Sequence, residues 1–187
     1  MHTYDQALEL FHEWTKTDSL RRHAYAVESA MAFYANQYDE DVEQWRIAGL
    51  LHDMDYEKHK TPDEHPYVGV GILRDLGYSE EICDAIMGHA EHTGYPRTTL
   101  MAKVLFAVDE LAGFITAVGY VRPTGLQGMK PRSVTKKLKD KAFAAAVSRD
   151  DIRMGAEDLE IELAQHIANV IEGMQANATR LGFSASE

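Results

Sequence analysis

GLLHDMDYEKH, Gly49 to His59, begins as an apolar helix and then sets a histidine beside an aspartate where two more leucines would pack better. The helix that leads into it spans about Asp41 to Met54, with Val42, Trp45, Ala48 and Gly49 along one side. His52 continues that side, so a titratable pair ends a helix built for burial. Six residues beyond Asp53 stands another histidine, His59, which reads as a solvated loop residue.

The surrounding sequence is helical almost throughout. Tyr4 to Lys16 carries Ala7, Leu8, Phe11 and Trp14 at helical spacing. Asp18 or Ser19 is a candidate cap for a second helix whose apolar face holds Leu20, Ala24, Val27, Met31 and Tyr34. His65 to Leu76 reads as a short helix closed by Gly77, and Ser79 opens the next with acids in its first turn. A long apolar helix follows over about Thr99 to Val118, then one capped by Ser133, then a last one from about Ala156 to Arg180. No stretch alternates with period two and β-branched residues, so the fold class is all-α. The reading is one domain over residues 1–187, with a helical core at 18–118 and a C-terminal helical extension at 119–187. Residues 119–132 are expected to be the longest irregular segment and to face substrate.

Composition narrows the function classes. The 187 residues are 45% hydrophobic, the share of an ordinary globular domain. One cysteine, Cys83, excludes an intrachain disulfide framework and fits a reducing cytoplasm. No basic-then-apolar leader opens the chain, and no apolar run nears the roughly 20 residues of a membrane span. The expectation is a soluble cytoplasmic protein with no membrane partner. A net charge of −11 argues against stable binding to nucleic acid. Tyr120 to Arg149 reverses that sign, with Lys or Arg at Arg122, Lys130, Arg132, Lys136, Lys137, Lys139, Lys141 and Arg149 against Asp140 alone. An acidic body with one basic segment suits a small anionic ligand better than a polyanion.

His23 lies on the apolar side of its helix, His52 on that of the third helix, and Asp109 interrupts VLFAVDELAGFITAV. A carboxylate among apolar neighbours costs several kcal/mol unless a cation or donors meet it. Each group alone could be a satisfied core residue. Three such interruptions on three helices point to a shared partner, most simply a divalent metal.

The order His23, His52-Asp53, Asp109 resembles the HD superfamily of metal-dependent phosphohydrolases, carried by LLHDMDYEKH and LFAVDELAGF over about His23 to Ala117. The resemblance implies a helical bundle of the HD type in which these four residues hold a divalent metal. It also implies a second metal in members with two further histidines, here His65 and His89, with Asp53 as the bridge. One or two ions are therefore expected, and Mn, Fe, Ni, Co, Mg and Zn are not distinguished. HAEHTGYP is similar to the HD-GYP cyclic-dinucleotide phosphodiesterases, but HDMDY replaces their His-Asp-x-Gly-Lys pattern, which argues against cyclic di-GMP hydrolysis.

What the resemblance implies is hydrolysis of a phosphate ester of a nucleotide or related small metabolite. Divalent metals would activate water and neutralise phosphoryl oxygens. Asp55 and Glu110, each next to a proposed ligand, are the candidate acid–base or supporting groups. His92 is a candidate pocket residue, and Arg122, Lys136 and Lys137 are the candidate phosphate-binding cations. The other reading of the basic segment is a solvated face or a homodimer contact. Two further functions are compatible with the same fold. Di-iron HD-fold oxygenases such as myo-inositol oxygenase use six ligands in this order, and a non-catalytic nucleotide sensor would keep the fold alone.

Overall fold

The computed structural model describes residues 2–183. Nine α-helices and one 3₁₀ turn, with no strand among the described residues, make up the fold. They are α1 (Tyr4–Trp14), α2 (Asp18–Tyr38), α3 (Val42–Leu51), α4 (Tyr67–Asp75), α5 (Glu80–His89), α6 (Leu100–Tyr120), α7 (Pro131–Leu138), α8 (Arg149–Asp158) and α9 (Leu163–Gln175). The 3₁₀ turn, Glu91–Thr93, follows α5.

The centre of the bundle is α6. It buries residues on every side, from Met101 and Leu105 to Phe114 and Val118, as expected of a helix apolar all round. It packs against α2, α5, α8 and α9. The closest approach of α3 to α2 depends on Gly49, where a Cβ would meet the Glu28 backbone at 2.9 Å. Close packing there sets the end of α3 beside the middle of α2. Glu28, almost fully buried, accepts from Arg46 at 2.7 Å, Arg180 at 2.9 Å and the Tyr4 hydroxyl at 2.9 Å. That ionic knot ties α1, α2, α3 and the C-terminal residues together, and its several donors offset the burial of the carboxylate.

Local chemistry sets the helix ends. Thr3 and Gln6 form a reciprocal capping box, and Asp41, Ser79, Thr99 and Ser148 each accept from a backbone N–H of the first turn. The start of α2 differs from expectation. Neither Asp18 nor Ser19 caps it. Instead Glu57, from the connection after α3, takes the backbone N–H groups of Lys16 and Thr17 and the Thr17 hydroxyl.

Other boundaries also moved. The third helix stops at Leu51, because from there turns close over three residues: Met54 N–H to Leu51 O and Tyr56 N–H to Asp53 O. The fourth begins at Tyr67 rather than His65. The seventh begins at Pro131, whose fixed φ suits a first helical position, and Ser133 lies inside it. The expected last helix is two, broken at residues 159–162, where Glu160 is left-handed at φ 55°. Residues 52–66, not 119–132, form the longest connection between described helices.

Candidate metal centre

Two helix ends and two helix middles converge on one cavity. His23 comes from α2 and Asp109 from α6, while His89 is the last residue of α5 and His52 directly follows α3. His52 and His89 use the same device. Each places Nδ1 against the carbonyl three residues back, Gly49 O at 2.8 Å and Ile86 O at 2.5 Å. The outward carbonyls of a helix end thus take the Nδ1–H and leave both Nε2 atoms free to ligate. His65 reaches the same state through a carboxylate, with Nδ1 2.7 Å from Asp55 Oδ1.

Donor atoms of His23, His52 and Asp109 lie within 4.8 Å of one another, as do those of His52, Asp53 and His89. Asp53 divides its oxygens between two groups. Its Oδ2 is 3.5 Å from His52 Nε2 and 3.9 Å from His23 Nε2. Its Oδ1 is 3.2 Å from His65 Nε2 and 3.4 Å from His89 Nε2. Asp109 Oδ1 completes the first group at 2.9 Å from His23 Nε2 and 3.4 Å from His52 Nε2.

The electrostatics ask for positive charge. Burial disfavours the imidazolium of His52, but the carboxylates of Asp53 and Asp109 outweigh it and lift its pKa to about 9. His65 is likewise opposed by burial and raised to about 9, by Asp53 and Asp55. Burial pushes the Asp53 carboxyl up, yet His52, His65 and His89 hold it well below the usual range. Asp109 is lowered in the same way against its burial, by His52 and His23.

Residues of this kind fit a divalent metal. His52 Nε2 is buried with no hydrogen-bond partner among the described residues, a costly state that a metal would relieve. Imidazoles with carboxylates also suit Mn, Fe, Co, Ni and Zn. His23, His52, Asp53 and Asp109 would hold one ion. Asp53, His65 and His89 would hold a second.

A family model for the HD domain matches residues 20–113. The chain belongs to the HD domain family. HD domains bind divalent metals and form a superfamily of metal-dependent phosphohydrolases. Among curated relatives, the chain is 31% identical over 106 residues to ribonuclease Y of Lawsonia intracellularis, covering 56% of the chain and 20% of that protein. Against ribonuclease Y of Geobacter sulfurreducens it is 29% identical over 174 residues, 83% of the chain and 32% of the relative. A stretch of 58 residues is 43% identical to an uncharacterised protein of Methanocaldococcus jannaschii, 31% of the chain and 34% of that protein. The chain thus spans a third or less of the length of these ribonuclease Y relatives. No solved structure matches significantly. No helix among the described residues is long and apolar enough to cross a membrane.

The cavity in front of the histidines measures about 590 Å³. Glu110 lines it and accepts from the Ser148 backbone N–H at 2.9 Å. Burial, reinforced by Asp109, raises the Glu110 carboxyl to about 7. His92 lines it too, with Nε2 donating to the His65 carbonyl at 2.9 Å.

Four expectations for the site change. Asp55 keeps only the supporting one of its two expected places: it is fully buried, does not line the cavity, and accepts from His65 and from the Gly69 N–H, each at 2.7 Å. A Cβ at Gly69 would stand 2.9 Å from the Asp55 carboxyl carbon, so only glycine lets the backbone make this contact. Arg122 does not reach the cavity. Its guanidinium holds its own loop, through Gly125 O at 2.9 Å and Gln127 O at 3.1 Å. Lys137 lies over the Phe143 ring at 4.5 Å, and Lys136 is exposed away from the lining. The basic segment does cover the cavity, but with Ala146 and Val147. Its cations were misplaced because a local charge run says nothing about which face a segment presents after it folds back.

Two residues were missed. Lys60 and Tyr56, from the connection between α3 and α4, line the cavity. The signal was present in EKHKTP, a lysine close after the His-Asp pair.

Proposed function

We propose that this HD domain hydrolyses a phosphate ester of a nucleotide or a related small metabolite. The observation that carries the reading is Asp53, whose two oxygens face separate histidine groups at 3.5 Å and 3.2 Å. A carboxylate so placed would serve both ions of a two-metal phosphohydrolase. When bound, the metals would supply an activated water and neutralise charge on the phosphoryl oxygens.

The chain's own residues do the rest. Buried Asp55 and the carbonyls of Gly49 and Ile86 fix the ring orientations of His65, His52 and His89. Glu110 faces the cavity beside the ligand Asp109, placed to accept a proton from water or deliver one to a leaving oxygen. Ala146, Val147 and Phe106 exclude water from part of the wall. The volume is that of a small-molecule site, which favours a metabolite over a polymer. Ribonuclease Y relatives make RNA the comparison substrate.

The test is phosphate release from nucleotides and sugar phosphates by protein loaded in turn with Mn, Fe, Ni, Co, Mg and Zn. Short end-labelled RNA is assayed in parallel, and oxygen uptake is followed in the iron-loaded form. Release of inorganic phosphate from a small ester is expected. Cleavage of RNA alone, or oxygen uptake with an organic substrate and no phosphate release, would overturn the reading.

A further inference from the structure

The chain has 19 Lys and Arg residues, and among the described residues only Lys60 lines the metal-centre cavity. Its ammonium makes no ion pair or hydrogen bond among the described residues. Glu57, on the same connection and close enough to feel the Lys60 charge, is already engaged by the start of α2. Lys60 therefore stays available to a ligand.

The backbone around Lys60 is held in place. Glu64 accepts from Thr61 Oγ1 at 2.9 Å with one oxygen and pairs with His59 Nδ1 at 3.1 Å with the other. Both neighbours of Lys60 are thus clasped by one side chain. The Thr61 carbonyl accepts the backbone N–H groups of Glu64 and His65, each at 2.9 Å. The turn that carries Lys60 ends on a proposed metal ligand, so its position is tied to the metal centre.

Elsewhere the wall is acidic. Glu110, Asp151 and Glu91 line it, and of these Glu91 is matched by Arg97 at 2.9 Å. A phosphate entering here meets one lysine beside the metals, and the carboxyl groups of Glu110 and Asp151, which no lysine or arginine pairs among the described residues. Each added phosphate group would bring more negative charge against those carboxylates with no further lysine or arginine to meet it.

Resting on the phosphohydrolase reading, we propose that Lys60 anchors the substrate phosphate and that the acidic wall restricts the cavity to esters with a single phosphate group. The first probe is inorganic phosphate, titrated calorimetrically into manganese-loaded protein. Lys60→Ala should weaken its binding by about ten-fold or more with manganese content unchanged, and Lys60→Arg should recover most of it. The second probe is competition between adenosine monophosphate and adenosine triphosphate without added magnesium, with the manganese content of the protein checked before and after. The triphosphate should bind at least about ten-fold more weakly, and Asp151→Asn should narrow that gap. Phosphate binding that is absent in the wild type, or equal in Lys60→Ala, overturns the anchor. Triphosphate binding as tight as monophosphate overturns the restriction. Lys60-dependent phosphate binding in a protein that hydrolyses no ester supports the anchor while the hydrolase reading falls.

Discussion

Asp53 and His65 meet at 3.2 Å between Oδ1 and Nε2, while the other Asp53 oxygen lies 3.5 Å from His52 Nε2. One carboxylate therefore belongs to both ligand groups, and each histidine it faces comes from a different part of the chain. Asp53→Ala should lose both metals. His65→Ala should lose about one equivalent and leave the group of His23, His52 and Asp109. Elemental analysis of protein purified in excess manganese checks this. Equal loss in the two variants would show that the groups do not fill separately.

Asp55 acts behind His65. Its removal should lower affinity for the second metal by about 10–100-fold and leave the first in place. Asp55→Asn keeps an oxygen for His65 and should be milder than Asp55→Ala. Two-site metal titrations of both variants decide it. If Asp55→Ala binds two ions as tightly as wild type, the His65–Asp55 contact has no part in metal binding.

Metal uptake should release protons. Without metal, His52 and His65 are lifted to about 9 by their carboxylates, so both are protonated at pH 7. A ligating imidazole must be neutral, so binding displaces those protons and apparent affinity rises between pH 7 and 9. Above about pH 9 the gain ends. Calorimetry in buffers of different ionisation enthalpy counts the protons, and a count of zero at pH 7 would contradict the field described for the site.

His166 carries a pKa shift of the opposite sign. It is fully buried, its Nδ1 accepts from the Tyr34 hydroxyl at 2.6 Å, and its Nε2–H donates to Ala107 O at 2.8 Å. Burial lowers its pKa to about 4. Above pH 6.5 the ring is neutral folded and unfolded, so its contribution is complete. As pH falls from 6.5 to 4 only the unfolded chain takes up the proton, and on the order of 3 kcal/mol is lost. Urea unfolding from pH 7 to 4 should show a steeper decline in wild type than in His166→Gln. Parallel curves would count against it.

Arg122 and Lys137 serve the structure of the C-terminal extension. Arg122→Ala loosens residues 121–130 and should cost about 1 kcal/mol of stability, because its hydrogen bonds are partly exposed. Neither Arg122→Ala nor Lys137→Ala should change KM or kcat on the true substrate. A rise in KM for either would return these cations to the binding site.

Much of this was legible in the chain itself. His23, His52, Asp53 and Asp109 each break an apolar helical pattern, and such a break is a local signal because a buried charge is costly wherever the helix goes. The all-α class follows from period alone. What tertiary structure decided is everything that depends on how connections fold back. Asp55 and Asp53 are two residues apart and point to opposite sides, and only the elements packed on each side decide that one supports His65 from inside the core while the other faces the cavity. The eight cations of Tyr120 to Arg149 looked like the phosphate site, and Lys60 did not. Exposed charges carry no periodic signature of their targets. Where they point is set by packing against distant helices, and here that packing brought Ala146 and Val147 to the cavity and left Lys60 the lysine or arginine lining it.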